Sequence, residues 1–306
     1  MSLCNLRFAI AVALLALAAR LPALAWGVDG HRMINRLAGL NLPAETPDFL
    51  RSAPALDALS YYSPLPDHWR GRGEPALTTA SAPDHFIQME ALNLLPSLPR
   101  NRYDYVRAVA LAQASHPDLT LTAEKIGMQP YQAVEVWERL KVAMRDYREA
   151  LVRKEALAPV QAEVIFLAGW LGHYVGDAAM PLHTSDKPNG WVGPNPDGYT
   201  AEHYIHSLFE SEFVAQNVTS ADVAPQIAKE SALVGDVFDQ YVGYLNRSHK
   251  LVEKTYQLEK AGAFDGAGTA EGKAFAVGQL AAASTELRDL IYTAWIRSGE
   301  AVPDRP

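Results

Sequence analysis

From Pro159 to Asp177 the chain carries Val160, Val164, Ile165, Phe166, Leu167, Trp170 and Leu171, a pattern apolar enough to predict a buried helix, and Pro181 must end it. That helix closes with the block His173-Tyr-Val-Gly-Asp177-Ala-Ala-Met-Pro-Leu-His183. His173 and Asp177 stand four residues apart and so share one helix face. A carboxylate without a partner is expensive to bury at the end of such a helix, and a bound cation offsets that cost. His183 follows just past the proline, where the chain can turn back. Imidazole and carboxylate are the ligand types that zinc takes where thiolates are absent.

A second pair, His206 and Glu210, repeats the spacing, with His203 one turn earlier as a competitor. Each pair alone reads first as a surface helix bearing a hydrogen-bonded histidine. Two such pairs on separate helices, with His183 between them, favour a metal site built between the helices of a bundle. The amino-terminal region adds a third element. Arg7 precedes an apolar run from Phe8 to Ala19, and Ala23-Leu24-Ala25 offers small residues at a cleavage site, so residues 1–25 are expected to be a signal peptide. Twelve apolar residues are too few to span a bilayer. Cleavage after Ala25 makes Trp26 the new terminus, in Trp26-Gly-Val-Asp-Gly-His31. A free α-amine with its neighbouring carbonyl can chelate a metal, with His31 near enough to join. The plainer alternative for Trp26 is an apolar anchor.

The only cysteine, Cys4, falls in the removed segment, which excludes disulfides and thiolate ligands from the mature chain. Removal takes two arginines and no acid, so the formal charge moves from −8 to −10. That argues against broad electrostatic binding of duplex DNA, while leaving room for a small site whose positive charge comes from metal ions. Residues 26–306 are expected to form one all-α domain with long irregular loops, secreted or periplasmic, with no stable membrane insertion, and a monomer. Helices are predicted over His31–Leu40, Tyr131–Leu157, Pro159–Asp177, Thr200–Ala215, Val223–Lys254 and Glu271–Ser298. Ser60–Pro83, with its prolines, and Thr184–Tyr199 read as irregular, and Ala261–Gly272 as a flexible connection.

These motifs together resemble the superfamily that joins zinc-dependent phospholipase C with the fungal and plant single-strand-specific nucleases (nuclease P-one and nuclease S-one). The shared pattern is a mature N-terminal Trp, often in W-G-x-x-G-H, then an Asp, then His-Phe, then H-[FY]-x-G-D-x-x-x-P-x-H, then His-x-x-x-Asp/Glu. Here it is met by Trp26 with His31, Asp67 in Leu-Pro-Asp-His-Trp-Arg, His85 in Asp-His-Phe-Ile, the His173–His183 block, and His206 with Glu210. The resemblance implies three zinc ions. Asp67, His85, His173 and Asp177 would hold the first, His183, His206 and Glu210 the second, and the Trp26 amine and carbonyl with His31 and Asp177 the third. It also implies a metal-activated water as nucleophile, with Asp67 as the catalytic residue that orients it. Asp57 and Asp84 remain rivals for Asp67, and His85 has a second reading as a core histidine. His68, His116 and His249 read as surface or loop histidines.

The two enzyme branches differ around the metals. The W-G-x-x-G-H start and the long His183–His206 interval point to a nuclease acting on single-stranded nucleic acid or nucleotides. Glu210, where the nucleases carry Asp within N-L-H-x-x-W-D, and the lack of their G-G-N point to a phospholipase C taking a phospholipid headgroup. Asn189-Gly190-Trp191 occupies that region instead. A non-catalytic metal-binding helical protein is the reading from another class. Tyr61, Tyr62, Trp69, Phe86 and Trp191 are candidates to stack a base, though any of them serves equally in a core. The stretch from Arg100 to Leu157 is longer than either branch needs and is expected to cover or reshape the pocket.

Overall fold

A computed structural model describes residues 26–302, so the expected signal segment lies outside the described residues. Its main helices are α1 (Gly27–Leu40), α2 (Ala53–Tyr62), α3 (Leu65–Gly71), α4 (Arg102–Ser115), α5 (Gln129–Arg153), α6 (Ala158–Ala179), α7 (Val237–His249), α8 (Val252–Lys260) and α9 (Ala270–Arg297). Helix α6 is the hub, with α1, α2, α5 and α9 all packed on it. The fold is all-α, and the extended pairing seen among the described residues is one isolated bridge between Ile87 and Gly127. No helix among them is long and apolar enough to cross a membrane.

Helix α6 begins with Pro159 in its first turn, where a missing N–H costs nothing. Every residue from Leu171 to Ala179 is buried. Such depth requires neighbours that approach closely, and glycines supply the room. A Cβ on Gly172 would lie 2.0 Å from Asn35 Oδ1, one on Gly169 would lie 2.7 Å from Tyr62 Cβ, and one on Gly176 would lie 2.8 Å from His31 Nδ1. Asn35, on α1, uses that proximity. Its Nδ2 donates to the carbonyls of Leu59 at 3.1 Å and Gly169 at 2.9 Å, tying α1, α2 and α6 through one buried amide.

Three expectations change. Ser60–Pro83 is largely helical, through α3, Pro75–Ser81 and Ala82–His85, because prolines there occupy first-turn positions that need no donor. Val223–Lys254 is not one helix: residues 227–236 are irregular, and α9 satisfies their backbone instead. Arg288 donates to the carbonyls of Ala228 and Glu230, while Thr293 Oγ1 and Asp289 Oδ1 accept from the amides of Val234 and Ala232. The Ala261–Gly272 connection is packed, with Ala263 and Phe264 buried beneath glycines at positive φ. Helix α4, started by the Asn101 side chain accepting from the amides of Tyr103 and Asp104, carries too weak a one-sided apolar pattern to stand out in the sequence.

Gly172→Ala is expected to destabilise the fold by roughly 1–3 kcal/mol through overpacking against Asn35. Gly278→Ala, in α9 with nothing within 4 Å of the new methyl group, is expected to be neutral or to stabilise by up to about 1 kcal/mol. Urea denaturation of both variants measures the contrast.

Candidate metal centre

The end of α6 is where buried charge collects. His31, Asp67, His85, His173, Asp177, His183 and Glu210 are all buried, and His206 is mostly so. Their ligand atoms fall into three groups, each within 4.8 Å: His31, His173 and Asp177; Asp67, His85 and His173; His183, His206 and Glu210. Asp177 lies at the crossing point. Its Oδ2 is 3.1 Å from His85 Nδ1 and 3.3 Å from His173 Nε2, and its Oδ1 is 3.4 Å from His31 Nε2 and 3.7 Å from His183 Nδ1.

The orientation of the imidazoles suits a cation. His173, His183 and His206 each turn Nδ1 to a backbone carbonyl, of Ser63 at 2.8 Å, His85 at 2.7 Å and Pro188 at 3.0 Å. That fixes the ring orientation and turns each Nε2 towards the cluster. Nε2 of His183 and Nε2 of His206 face each other at 3.0 Å, and His173 Nε2 is 2.9 Å from His85 Nδ1. Both ring nitrogens of His31, His85 Nε2, Asp67 Oδ2, Asp177 Oδ1 and Glu210 Oε1 are buried without a hydrogen-bond partner. Unpaired buried polar atoms are costly. So many converging in one place, all nitrogen or carboxylate oxygen, fit divalent metal ions of the zinc type.

Electrostatics give the same answer. Burial and the Arg70 guanidinium push His85 down to about 4, leaving a neutral ring with a free lone pair at pH 7. Burial also pushes His183 down, but Asp177 and Glu210 outweigh it and hold the ring up at about 9. Burial raises Asp177 and Glu210, yet the histidines around them keep both below the ordinary carboxylate range. The cluster therefore draws positive charge.

Trp26 adjoins this centre. Its backbone nitrogen is 3.0 Å from Glu210 Oε2, and its carbonyl accepts from Gly30 N in the first turn of α1. The indole is fully buried, donates to the Gly176 carbonyl at 2.6 Å and meets Phe209 edge-on. Of the rival acids, Asp57 is a surface partner of Arg36 and Asp84 faces Arg102 and Glu135, while Asp67 joins His85 and His173. His203 is exposed, His116 bonds the Ala112 carbonyl within its own helix end, and His249 is half-buried rather than solvated.

A cleft of about 580 Å³ opens onto the centre, lined by His85, His183 and His206 with Arg70, Phe86 and Lys125 among its walls. Arg70 was not legible as a candidate by residue type; its signal is the i,i+3 spacing from Asp67, whose Oδ1 it grips at 2.7 and 2.9 Å. Of the five aromatics considered for stacking, Phe86 lines this cleft. Trp191 packs on Tyr199 and Tyr256, Trp69 on Trp170, and Tyr62 on Phe166.

An all-helical scaffold enclosing histidine and carboxylate groups under an open cleft defines a candidate metallohydrolase. The chain belongs to the S1/P1 nuclease family, a family of phosphodiester-hydrolysing enzymes, which it matches over residues 26–294. Among solved structures it is similar to Clostridium perfringens alpha-toxin from an avian strain, at 15% identity and a TM-score of 0.44 over 90% of this chain and 66% of that one. Similarity to alpha toxin from Clostridium absonum has the same TM-score and coverage at 13% identity. The chain thus spans about two thirds of the length of these structures. No curated protein matches it.

Since His183 carries a proton at pH 7, an incoming cation must displace it, and metal affinity should rise with pH until that proton is gone near pH 9. Calorimetric titration of zinc into chelator-stripped protein at pH 7, in two buffers of different ionisation enthalpy, is expected to show proton release on binding, smaller in His183→Ala than in wild type. Equal proton release from the two proteins would remove His183 from the ligand set.

Proposed function

We propose that this chain is an exported zinc-dependent phosphodiesterase that cleaves single-stranded nucleic acid or nucleotides. The observation that carries the reading is the set of partnerless buried nitrogen and oxygen atoms converging beneath a cleft. Family membership supplies the reaction class. Asp67, His85, His173 and Asp177 would hold one zinc, His183, His206 and Glu210 a second, and Trp26, His31 and Asp177 a third. When bound, these ions would supply positive charge for phosphate oxygens and for the leaving oxygen, and a lowered pKa for the attacking water.

The protein's own groups do the rest. Asp67 has one oxygen committed to Arg70 and leaves Oδ2 without a partner, which suits it to accept a hydrogen bond from the attacking water and orient it. Arg70 stands at the cleft with its charge next to that carboxylate, able to receive a phosphate oxygen in the bidentate manner of guanidinium. Phe86 offers an aromatic face for a base. The backbone carbonyls behind His173, His183 and His206 hold the rings still.

Zinc-loaded protein should be assayed in parallel on single-stranded DNA, RNA and phosphatidylcholine. Cleavage of the nucleic acids is expected; release of choline phosphate with neither nucleic acid cut would replace this reading with a phospholipase C. Zinc bound without turnover of any phosphate ester would leave a non-catalytic metal protein. Asp67→Asn is expected to lower kcat by about 10²–10⁴-fold, the range for losing a positioned acid–base group. His173→Ala should reduce metal content as well, read by elemental analysis. An extra residue left before Trp26 is expected to cost one metal ion and activity; equal activity would remove Trp26 from the ligand set.

A further inference from the structure

Lys125 stands out among the cations of an acidic chain. It lines the cleft over the metal centre, it is exposed, and no carboxylate among the described residues pairs with it. Arg70, on the same cleft, is already bound to Asp67. Lys187, two residues on from Ser185 of the cleft lining, is bound to Asp186 and Glu90. Lys125 therefore brings a spare positive charge to the cleft.

Its placement is built rather than incidental. The segment from Pro83 to Gln88, which carries His85, is hydrogen-bonded to residues 126–129: Met128 N donates to the Pro83 carbonyl at 2.7 Å, and Gln88 N to the Ile126 carbonyl at 2.7 Å. On its other side, Ile87 N donates to the His183 carbonyl at 2.9 Å. Gly127 makes this pairing possible. Its φ is +104°, and a Cβ there would lie 2.0 Å from the Phe86 carbonyl oxygen. Directly before Gly127, Thr122 to Ile126 forms a capped turn, with Thr122 Oγ1 accepting from Lys125 N. The lysine is thus held in register with His85 and His183 while its ammonium stays free.

A cleft of about 580 Å³ is in the range that accommodates a small organic ligand, more room than a lone phosphate needs. With the scissile phosphate at the histidines, a separate cation lining the same cleft is available to a neighbouring phosphate of a polymer.

Resting on the nuclease reading above, we propose that Lys125 binds a phosphate flanking the scissile one, and so selects oligonucleotides over substrates with a single phosphate. The reciprocal expectation is that substrates with one phosphodiester do not sense this residue.

The experiment compares wild type, Lys125→Ala and Lys125→Arg, all zinc-loaded, on an eight-residue oligothymidylate, on a dithymidine with one phosphodiester, and on phosphatidylcholine vesicles. For Lys125→Ala the expected result is a roughly 5- to 10-fold higher KM on the oligonucleotide at low salt, from loss of one charge-assisted contact. Its kcat there, and both constants on the dinucleotide, should stay within about twofold. The slope of log kcat/KM against log salt should become shallower by about 0.7, the increment for one phosphate contact on a single strand. Lys125→Arg should restore both. Equal effects on the oligonucleotide and dinucleotide, or no effect on either, would overturn the proposal while leaving the nuclease reading intact. An effect on vesicles as large as on the oligonucleotide would also overturn it. Wild type that hydrolyses the vesicles and cuts neither nucleotide substrate would sink the nuclease reading itself.

Discussion

Asp177 is an ionisable carboxylate buried at the end of an apolar helix, and most of this architecture answers the problem it creates. Burial alone would raise its pKa and empty it of charge. Four histidines from four different segments prevent that: His31 from α1, His85 from the turn after Pro83, His173 from its own helix and His183 from past Pro181. Their convergence sets where α1 must cross α6. The glycines of α6 and the Asn35 amide then make that crossing physically possible. Without a counter-charge the arrangement would be a collection of unpaid desolvation costs, which is why the donors read as a cation site rather than as a core.

The site was more legible than the fold around it. His173 with Asp177 and His206 with Glu210 could be singled out because paired candidate ligands on a helix show as i,i+4 spacing, and the structure gathers them into groups that could hold an ion. His183 could be found because proline marks the turn before it. Trp26 and His31 became candidates through the expected cleavage after Ala25, and Asp67 could not be separated from Asp57 and Asp84 by spacing. Three-dimensional packing separates them, since Asp57 meets Arg36 at the surface and Asp84 turns towards Arg102. Lys125 had no local signal at all. It reaches the cleft through a backbone pairing between segments some forty residues apart, which leaves no periodic trace.

Helix boundaries failed for a related reason. Residues 227–236 have the composition of a helix, but Arg288, Asp289 and Thr293 on α9 supply the hydrogen bonds that a helix would otherwise make internally. The prolines between Ser60 and Pro83 suggested irregularity, while their positions in first turns make them helix starts. In both places the deciding groups lie outside any sequence window. The long segment from Arg100 onwards shows the same thing on a larger scale: α5 forms part of the core, with Trp137 donating to the Leu290 carbonyl, while its approach turn forms a wall of the cleft.

Glu210 sits in a π-helical turn, Leu208–Phe213, set between the α-helical pieces Ile205–Ser207 and Val214–Asn217. Such a turn is a helix with one residue too many, kept where its geometry is useful. It makes the second histidine–carboxylate group depend on a count of residues as much as on their identity. Deleting one residue within Ser211–Phe213 would let the turn relax to ordinary winding while the helix after it keeps its phase, because the turn is what absorbs the extra residue. The change would fall inside the turn itself, where Glu210 meets His206 and the Trp26 backbone nitrogen and Phe213 packs on Phe264. A family varying freely in its side chains would on this account still conserve the length of this stretch.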